Sequence, residues 1–121
     1  MGYKQAFGKW GEQKAAAFLE SRGLEVVAYN WRCLYGEIDL VARNENQLIF
    51  VEVKTRKNDQ YGLPENAITP KKKGHLVRSA MEYINRYAVT CEWRIDIVSI
   101  QRLADSNYEI EWFENAITEN D

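Results

Sequence analysis

The sequence predicts a single α/β domain in which helices cover a mixed central sheet. Three observations predict it. Residues 3–22 and 70–87 carry helical patterning. The runs between and after them are short, rich in Val, Ile, Trp and Tyr, and either alternate or stay apolar throughout. The resulting order is helix, three strands, helix, then one or two strands, with no repeat or linker, which suits one layered sandwich. At 121 residues and 45% hydrophobic, the chain is long enough for one core.

Helix-forming residues fill the first stretch through Ala15-Ala16-Ala17-Phe18-Leu19-Glu20, and Gly23 suits a left-handed C-cap. On that helix Glu12 shares a stripe with Gly8, Ala15, Ala16 and Leu19, which are small and apolar. One reading puts Glu12 at the inner edge of the core, with Gly8 and Gly11 allowing a close approach. The other leaves it exposed on a frayed first turn.

Leu24–Arg32 is expected as the first strand, Cys33-Leu34-Tyr35-Gly36 as a turn, and Glu37–Arg43 as the second strand. On the second strand Ile38, Leu40 and Ala42 are expected on one side, with Glu37, Asp39 and Val41 on the other. Asn44-Glu45-Asn46 has hairpin length and leads into the third strand, Gln47–Arg56. There Ile49, Val51 and Val53 take one face, and Phe50, Glu52 and Lys54 the other. Residues 56–69 are expected as a polar loop through Asn58-Asp59-Gln60-Tyr61-Gly62-Leu63-Pro64.

Thr69-Pro70 reads as N-cap and first helical residue of a helix running to about Tyr87. Its expected buried stripe is Val77, Ala80, Met81, Ile84 and Ala88. Glu92–Gln101 is a fourth strand and Tyr108–Phe113 a fifth. Residues 114–121 are expected as a frayed acidic tail of the single domain 1–121.

The net charge of −2 conceals an uneven distribution. Residues 105–121 hold six acids and no base, which leaves sixteen bases against twelve acids in residues 1–104. Between Lys54 and Arg78 seven bases face two acids. Such a segment either is a solvated face or meets a polyanion. Lys71, Lys72 and Lys73 occupy the first turn of the second helix, where cations oppose the helix dipole by about 0.3–1 kcal/mol each. An anion bound at that end would reverse the penalty.

No run approaches the roughly 18–20 apolar residues of a membrane span, and the N-terminus has no apolar core of a secretory signal. Two isolated cysteines, Cys33 and Cys91, and one histidine, His75, argue against a structural zinc site and for a reducing cytoplasm.

A carboxylate and an ammonium two residues apart on an apolar strand need pairing, solvation or a metal. Glu52 and Lys54 alone would suit a surface ion pair. Asp39 on the neighbouring strand, Glu37 near it and Glu12 on the first helix add carboxylates that repel one another in a cleft, and a divalent cation resolves that conflict. Oxygen ligands favour Mg²⁺ or Mn²⁺. A metal of this kind serves phosphodiester hydrolysis, Lys54 suits charge stabilisation, and the basic segment suits a nucleic acid.

Gly36-Glu37-Ile38-Asp39-Leu40 followed by Glu52-Val53-Lys54 resembles the Asp…Glu-x-Lys signature of the PD-(D/E)xK nuclease superfamily. With the Gly11-Glu12 helix, Phe50-Val51-Glu52-Val53-Lys54-Thr55-Arg56 and Arg94-Ile95-Asp96-Ile97-Val98, the chain resembles the YraN-like family of bacterial proteins. That family is similar to archaeal Holliday-junction resolvases, and the likeness covers about Gly8 to Phe113. It implies a restriction-endonuclease-like αβββαβ core. It also implies Asp39, Glu52 and the Val53 carbonyl as metal ligands, Lys54 as catalytic lysine and Glu12 beside the metal. Ile38 stands where the superfamily's name has proline.

The function expected is a metal-dependent endonuclease acting on DNA, branched or Holliday-junction DNA included. Arg56, Lys57, Lys71, Lys72, Lys73 and Arg78 are expected to bind the nucleic acid, and by analogy the enzyme acts as a homodimer. The alternative is an inactive nucleic-acid-binding or partner-binding module that retains the nuclease fold.

Overall fold

The computed structural model describes residues 2–57 and 68–119. Seven main elements follow one another: α1 (Tyr3–Ser21), β1 (Glu25–Cys33), β2 (Gly36–Arg43), β3 (Gln47–Lys57), α2 (Pro70–Arg86), β4 (Glu92–Arg102) and β5 (Tyr108–Ile117). They build one five-stranded sheet in the order β1-β2-β3-β4-β5. Pairing is antiparallel except between β3 and β4, which run parallel and are joined through α2. This is the αβββαβ core with one further strand. The expected polar segment 58–67 lies outside the described residues.

The helices lie on opposite faces of the sheet. α1 packs Ala15, Ala16 and Leu19 on Leu40, Ile49, Val51, Val98 and Ile100. α2 packs Leu76 and Ala80 on Val41, Phe50, Ile95 and Ile97. The two sets alternate along β3 and β4, which are therefore covered on both sides. Gly11 is buried in α1, and a Cβ there would collide with the Thr55 side chain, so the glycine sets how closely α1 approaches β3. At the far end Gly23 takes φ +90°, and the Leu24 N–H reaches back to the Leu19 carbonyl at 3.1 Å, which closes the helix.

Four expectations are corrected. β3 holds Arg56 as expected and runs one residue further to Lys57, paired with Arg102 of β4, so the segment that follows begins after Lys57 and not at Arg56. The buried stripe of α2 is Leu76, Ser79 and Ala80, whereas Met81 is 40% exposed and Ala88 lies beyond the helix at φ +51°. Strict alternation fails on β2, where Ile38 joins Val41 on the α2 side and Leu40 faces α1. The slip falls at Asp39, between the Leu40–Tyr29 and Ile38–Trp31 pairs, where Asn30 of β1 adopts φ +49°.

Finally, the frayed tail gives way to strand as far as Ile117, which is 1% exposed. Asp96 holds this extension. Its carboxylate accepts hydrogen bonds from the Asn115 N–H at 2.8 Å, the Trp112 indole at 2.8 Å and Arg94 at 3.0 Å. Asn115 sits at φ +52°, which turns its N–H toward the aspartate.

Candidate metal centre

β2 and β3 pair from Arg43–Leu48 to Leu40–Val51, and the ladder then ends. Beyond that point the Asp39 carboxylate accepts the Val53 N–H at 2.8 Å. A side chain thus takes the place of the next main-chain partner. The N–H and C=O of one strand residue point the same way, so the Val53 carbonyl faces this opening as well.

Around the opening the sheet's two faces meet. On the α1 side, one carboxylate oxygen each from Glu12, Glu37 and Asp39 lie within 4.8 Å of one another. Asn30, in its left-handed conformation, donates from Nδ2 to Glu37 Oε1 at 2.6 Å and to Glu12 Oε1 at 3.1 Å. Lys9 Nζ donates to the side-chain Oδ1 of Asn30 at 2.7 Å and closes the cluster from outside. On the α2 side, Glu52 is 5% exposed, and its Oε2 lies 3.7 Å from Lys72 Nζ.

The electrostatics follow from this crowding. Burial, reinforced by the neighbouring Glu52 charge, pushes the Asp39 carboxyl up to about 8, although the Val53 N–H opposes the shift. Glu12 is raised as well, chiefly by burial, with the Asn30 hydrogen bond working against it. Glu12 therefore takes the inner-edge position, not the exposed frayed turn.

The expected site residues separate into groups. Asp39, Glu52, Val53 and Glu12 come together, with Glu37 completing the acidic cluster. Lys54 follows on β3, half-exposed, and borders a cavity of about 580 Å³ with Val53, Thr55 and Gly8. Lys71 and Arg78 are exposed on α2, and Lys73 is half-buried. Lys72 points back to Glu52. Arg56 is 8% exposed, which removes it from the basic face, while Lys57 lies in the open. Asn30 was not expected. No periodicity announces it, and its only signal is an asparagine, a residue that tolerates positive φ, inside a strand.

The donor set suits a hard divalent cation. It offers carboxylate and carbonyl oxygens, with no thiol or imidazole in the cluster. An αβββαβ core with acids gathered where β2 leaves β3, and a lysine just beyond, places the chain among proteins of nuclease-like α/β fold. It belongs to the group described as "Uncharacterised protein family UPF0102", whose family model matches residues 11–100.

Relatives described as UPF0102 proteins bear this out. One from Beutenbergia cavernae is 47% identical over 103 residues, covering 84% of this chain and 87% of its own. One from Phocaeicola vulgatus is 41% identical over 100 residues, covering 83% of each. Among solved structures, Pyrococcus furiosus SfsA in complex with Ca²⁺ overlays 92% of this chain with a TM-score of 0.40 and 13% identity. The present chain spans 63% of that one. Among the described residues no helix is long and apolar enough to cross a membrane.

Proposed function

We propose that the chain is a divalent-cation-dependent nuclease that hydrolyses phosphodiester bonds in DNA, branched or Holliday-junction DNA among its substrates. The observation that carries this reading is the convergence of Glu12, Glu37, Asp39 and Glu52 on the β2–β3 opening. There the Asp39 carboxyl is held up at about 8 in the absence of a cation. Crowded carboxylates gain most from a bound cation when they cannot all be solvated.

Asp39, Glu52 and the Val53 carbonyl would hold Mg²⁺ or Mn²⁺, with Glu12 and Glu37 alongside. The cation would supply Lewis acidity for a phosphate oxygen and a more acidic water. Lys54 donates hydrogen bonds to the phosphate as negative charge develops. Asn30 keeps Glu12 and Glu37 turned inward. Lys71 and Lys73, at the N-terminus of α2, meet flanking phosphates. A junction with two-fold symmetry favours two copies of the chain acting together.

The test is incubation with junction, flap and linear DNA in Mg²⁺ or Mn²⁺. Cleavage by the wild type that disappears in Lys54→Ala and in Glu52→Ala supports hydrolysis. Cleavage by the wild type no greater than that of a Glu52→Ala, Lys54→Ala double variant on every substrate would reject the nuclease.

A further inference from the structure

The surface next to the metal centre carries a row of aromatic rings that runs outward from Trp10, itself packed against the α1-side core. Tyr3 and Phe7 of α1 stack with ring centroids 6.2 Å apart and planes within 6°. Phe7 and Trp10 continue the stack at 5.7 Å and 8°. Tyr108 of β5 closes it edge-on, 5.5 Å from Trp10. Tyr3 is 60% exposed, and neither Tyr3 nor Phe7 packs against either core cluster. Water is a poor place for such a row of rings unless something covers it.

Cations flank the row. Lys57 Nζ lies 4.5 Å from the Tyr3 ring centroid, Arg102 5.8 Å from that of Trp10 and Lys14 5.2 Å from that of Tyr108. The cavity of about 580 Å³ that borders Lys54 begins at this row, with Tyr3, Lys4, Phe7 and Gly8 in its wall. Beyond its own stretch of helix, a Cβ on Gly8 would meet nothing within 4 Å, so that wall is open.

Parallel rings with flexible cationic side chains over their outer faces match one ligand chemistry: bases that can take the place of those side chains and stack, joined by phosphates that the displaced cations can pair with. A duplex hides its base faces and offers the row nothing to stack on. We propose that the Tyr3–Phe7–Trp10 ladder is a stacking platform for unpaired bases, and that it guides a single-stranded nucleic-acid segment along the cavity toward Lys54. The proposal rests on the nucleic-acid reading above and narrows it to substrates with a single-stranded arm or tail.

The test measures binding alone, by fluorescence anisotropy in EDTA. The probes are a labelled oligothymidylate of about fifteen nucleotides, an abasic strand of equal length and a blunt duplex. The wild type should bind oligothymidylate about tenfold or more tightly than the abasic strand. Tyr3→Ala with Phe7→Ala should remove that preference and leave duplex binding unchanged.

Gly8→Leu, which places a side chain in the open wall of the cavity, should weaken oligothymidylate binding in the same way. It guards against misfolding of the double variant. Equal binding of abasic and thymidylate strands, no binding of either, or full thymidylate binding by a folded Gly8→Leu protein would overturn the platform. Cleavage of DNA in Mg²⁺ without these differences removes the ladder and leaves the hydrolytic reading standing. Base-dependent binding by a protein that cleaves nothing does the reverse.

Discussion

The Asp39 carboxylate and the Val53 N–H meet at 2.8 Å where a main-chain rung between β2 and β3 would otherwise stand. The aspartate thereby closes the local hydrogen-bond account of β3 while turning its charge toward Glu12, Glu37 and Glu52. Structure and chemistry depend on the same side chain, and the pair responds to pH, to cations and to packing.

The first consequence is a stability that falls as pH rises. Asp39 titrates near 3.8 when unperturbed and at about 8 in the folded chain. Between those values the native state holds a proton that the unfolded state has released. Stability is thus fully present below about pH 4 as far as this group is concerned, and it is lost as pH climbs through about 8, on the order of a few kcal/mol. Thermal melts in EDTA should show Tm falling from about pH 5 to about pH 9. Asp39→Asn should flatten the profile, and Mn²⁺ should restore the wild type at the alkaline end. A wild-type Tm that rises with pH over this range would contradict the crowding.

Gly11→Ala should destabilise the chain. Alanine favours a helix over glycine by about 0.5–1 kcal/mol, but the new Cβ meets the Thr55 side chain, and overpacking typically costs about 1–3 kcal/mol. The second effect wins. Adding Thr55→Ala removes the Oγ1 and Cγ2 atoms in the way, and urea unfolding should show most of the loss recovered. The single variant should also bind Mn²⁺ more weakly, because Glu12 follows Gly11 on the same turn.

Lys72→Ala should bind Mn²⁺ several-fold more tightly than wild type by calorimetry. The ammonium lies 3.7 Å from Glu52 Oε2 and is itself half-exposed, so it competes with an incoming cation for little structural return. DNA binding should depend on Lys71 and Lys73 instead. Charge reversal of those two should lower the salt dependence of binding. Unchanged or weaker Mn²⁺ binding in Lys72→Ala would mean that the lysine supports the site.

Much of this centre could be read from the sequence, for physical reasons that also mark where reading stops. Glu52 and Lys54 were visible because a strand's two-residue period is rigid, and Asp39 because a short polar turn forces β2 and β3 to pair. The facing of Ile38 is not encoded in a two-residue period, because alternation breaks at Asp39, opposite the positive φ of Asn30. Asn30 escaped because its importance comes from a positive φ that no periodicity encodes. Arg56 looked like part of a basic run, and only the continuation of β3 beside β4 shows it buried. On α2 the expected Ala80 is buried and Val77 and Ile84 pack against the core, while Met81 turns outward and Leu76 and Ser79 take the innermost places, because a helix's rotation is fixed by the sheet beneath it. The last turns of β5 depend on Asp96, nineteen residues from the Asn115 N–H it accepts.

Asp96→Ala should be among the most damaging single changes outside the site. It would leave Arg94 without its buried partner and free the Trp112 indole and the Asn115 N–H. Breaking a buried, hydrogen-bonded charge typically costs about 3–5 kcal/mol. Urea unfolding followed by tryptophan fluorescence checks it, and a loss below about 1 kcal/mol would show that β5 is held by packing alone.

β3 is anchored on one flank and released on the other. Its pairing with β4 runs from Gln47 to Lys57, while its pairing with β2 stops at Val51. The opening therefore has two sides, with Asn30, Glu37 and Asp39 on the β1–β2 hairpin and Glu52 and Lys54 on the strand anchored to β4. Whatever draws these carboxylates together pulls the hairpin against β3. The Val53 amide, held by a side chain in place of a strand, is the proton whose exchange with solvent would register that closure.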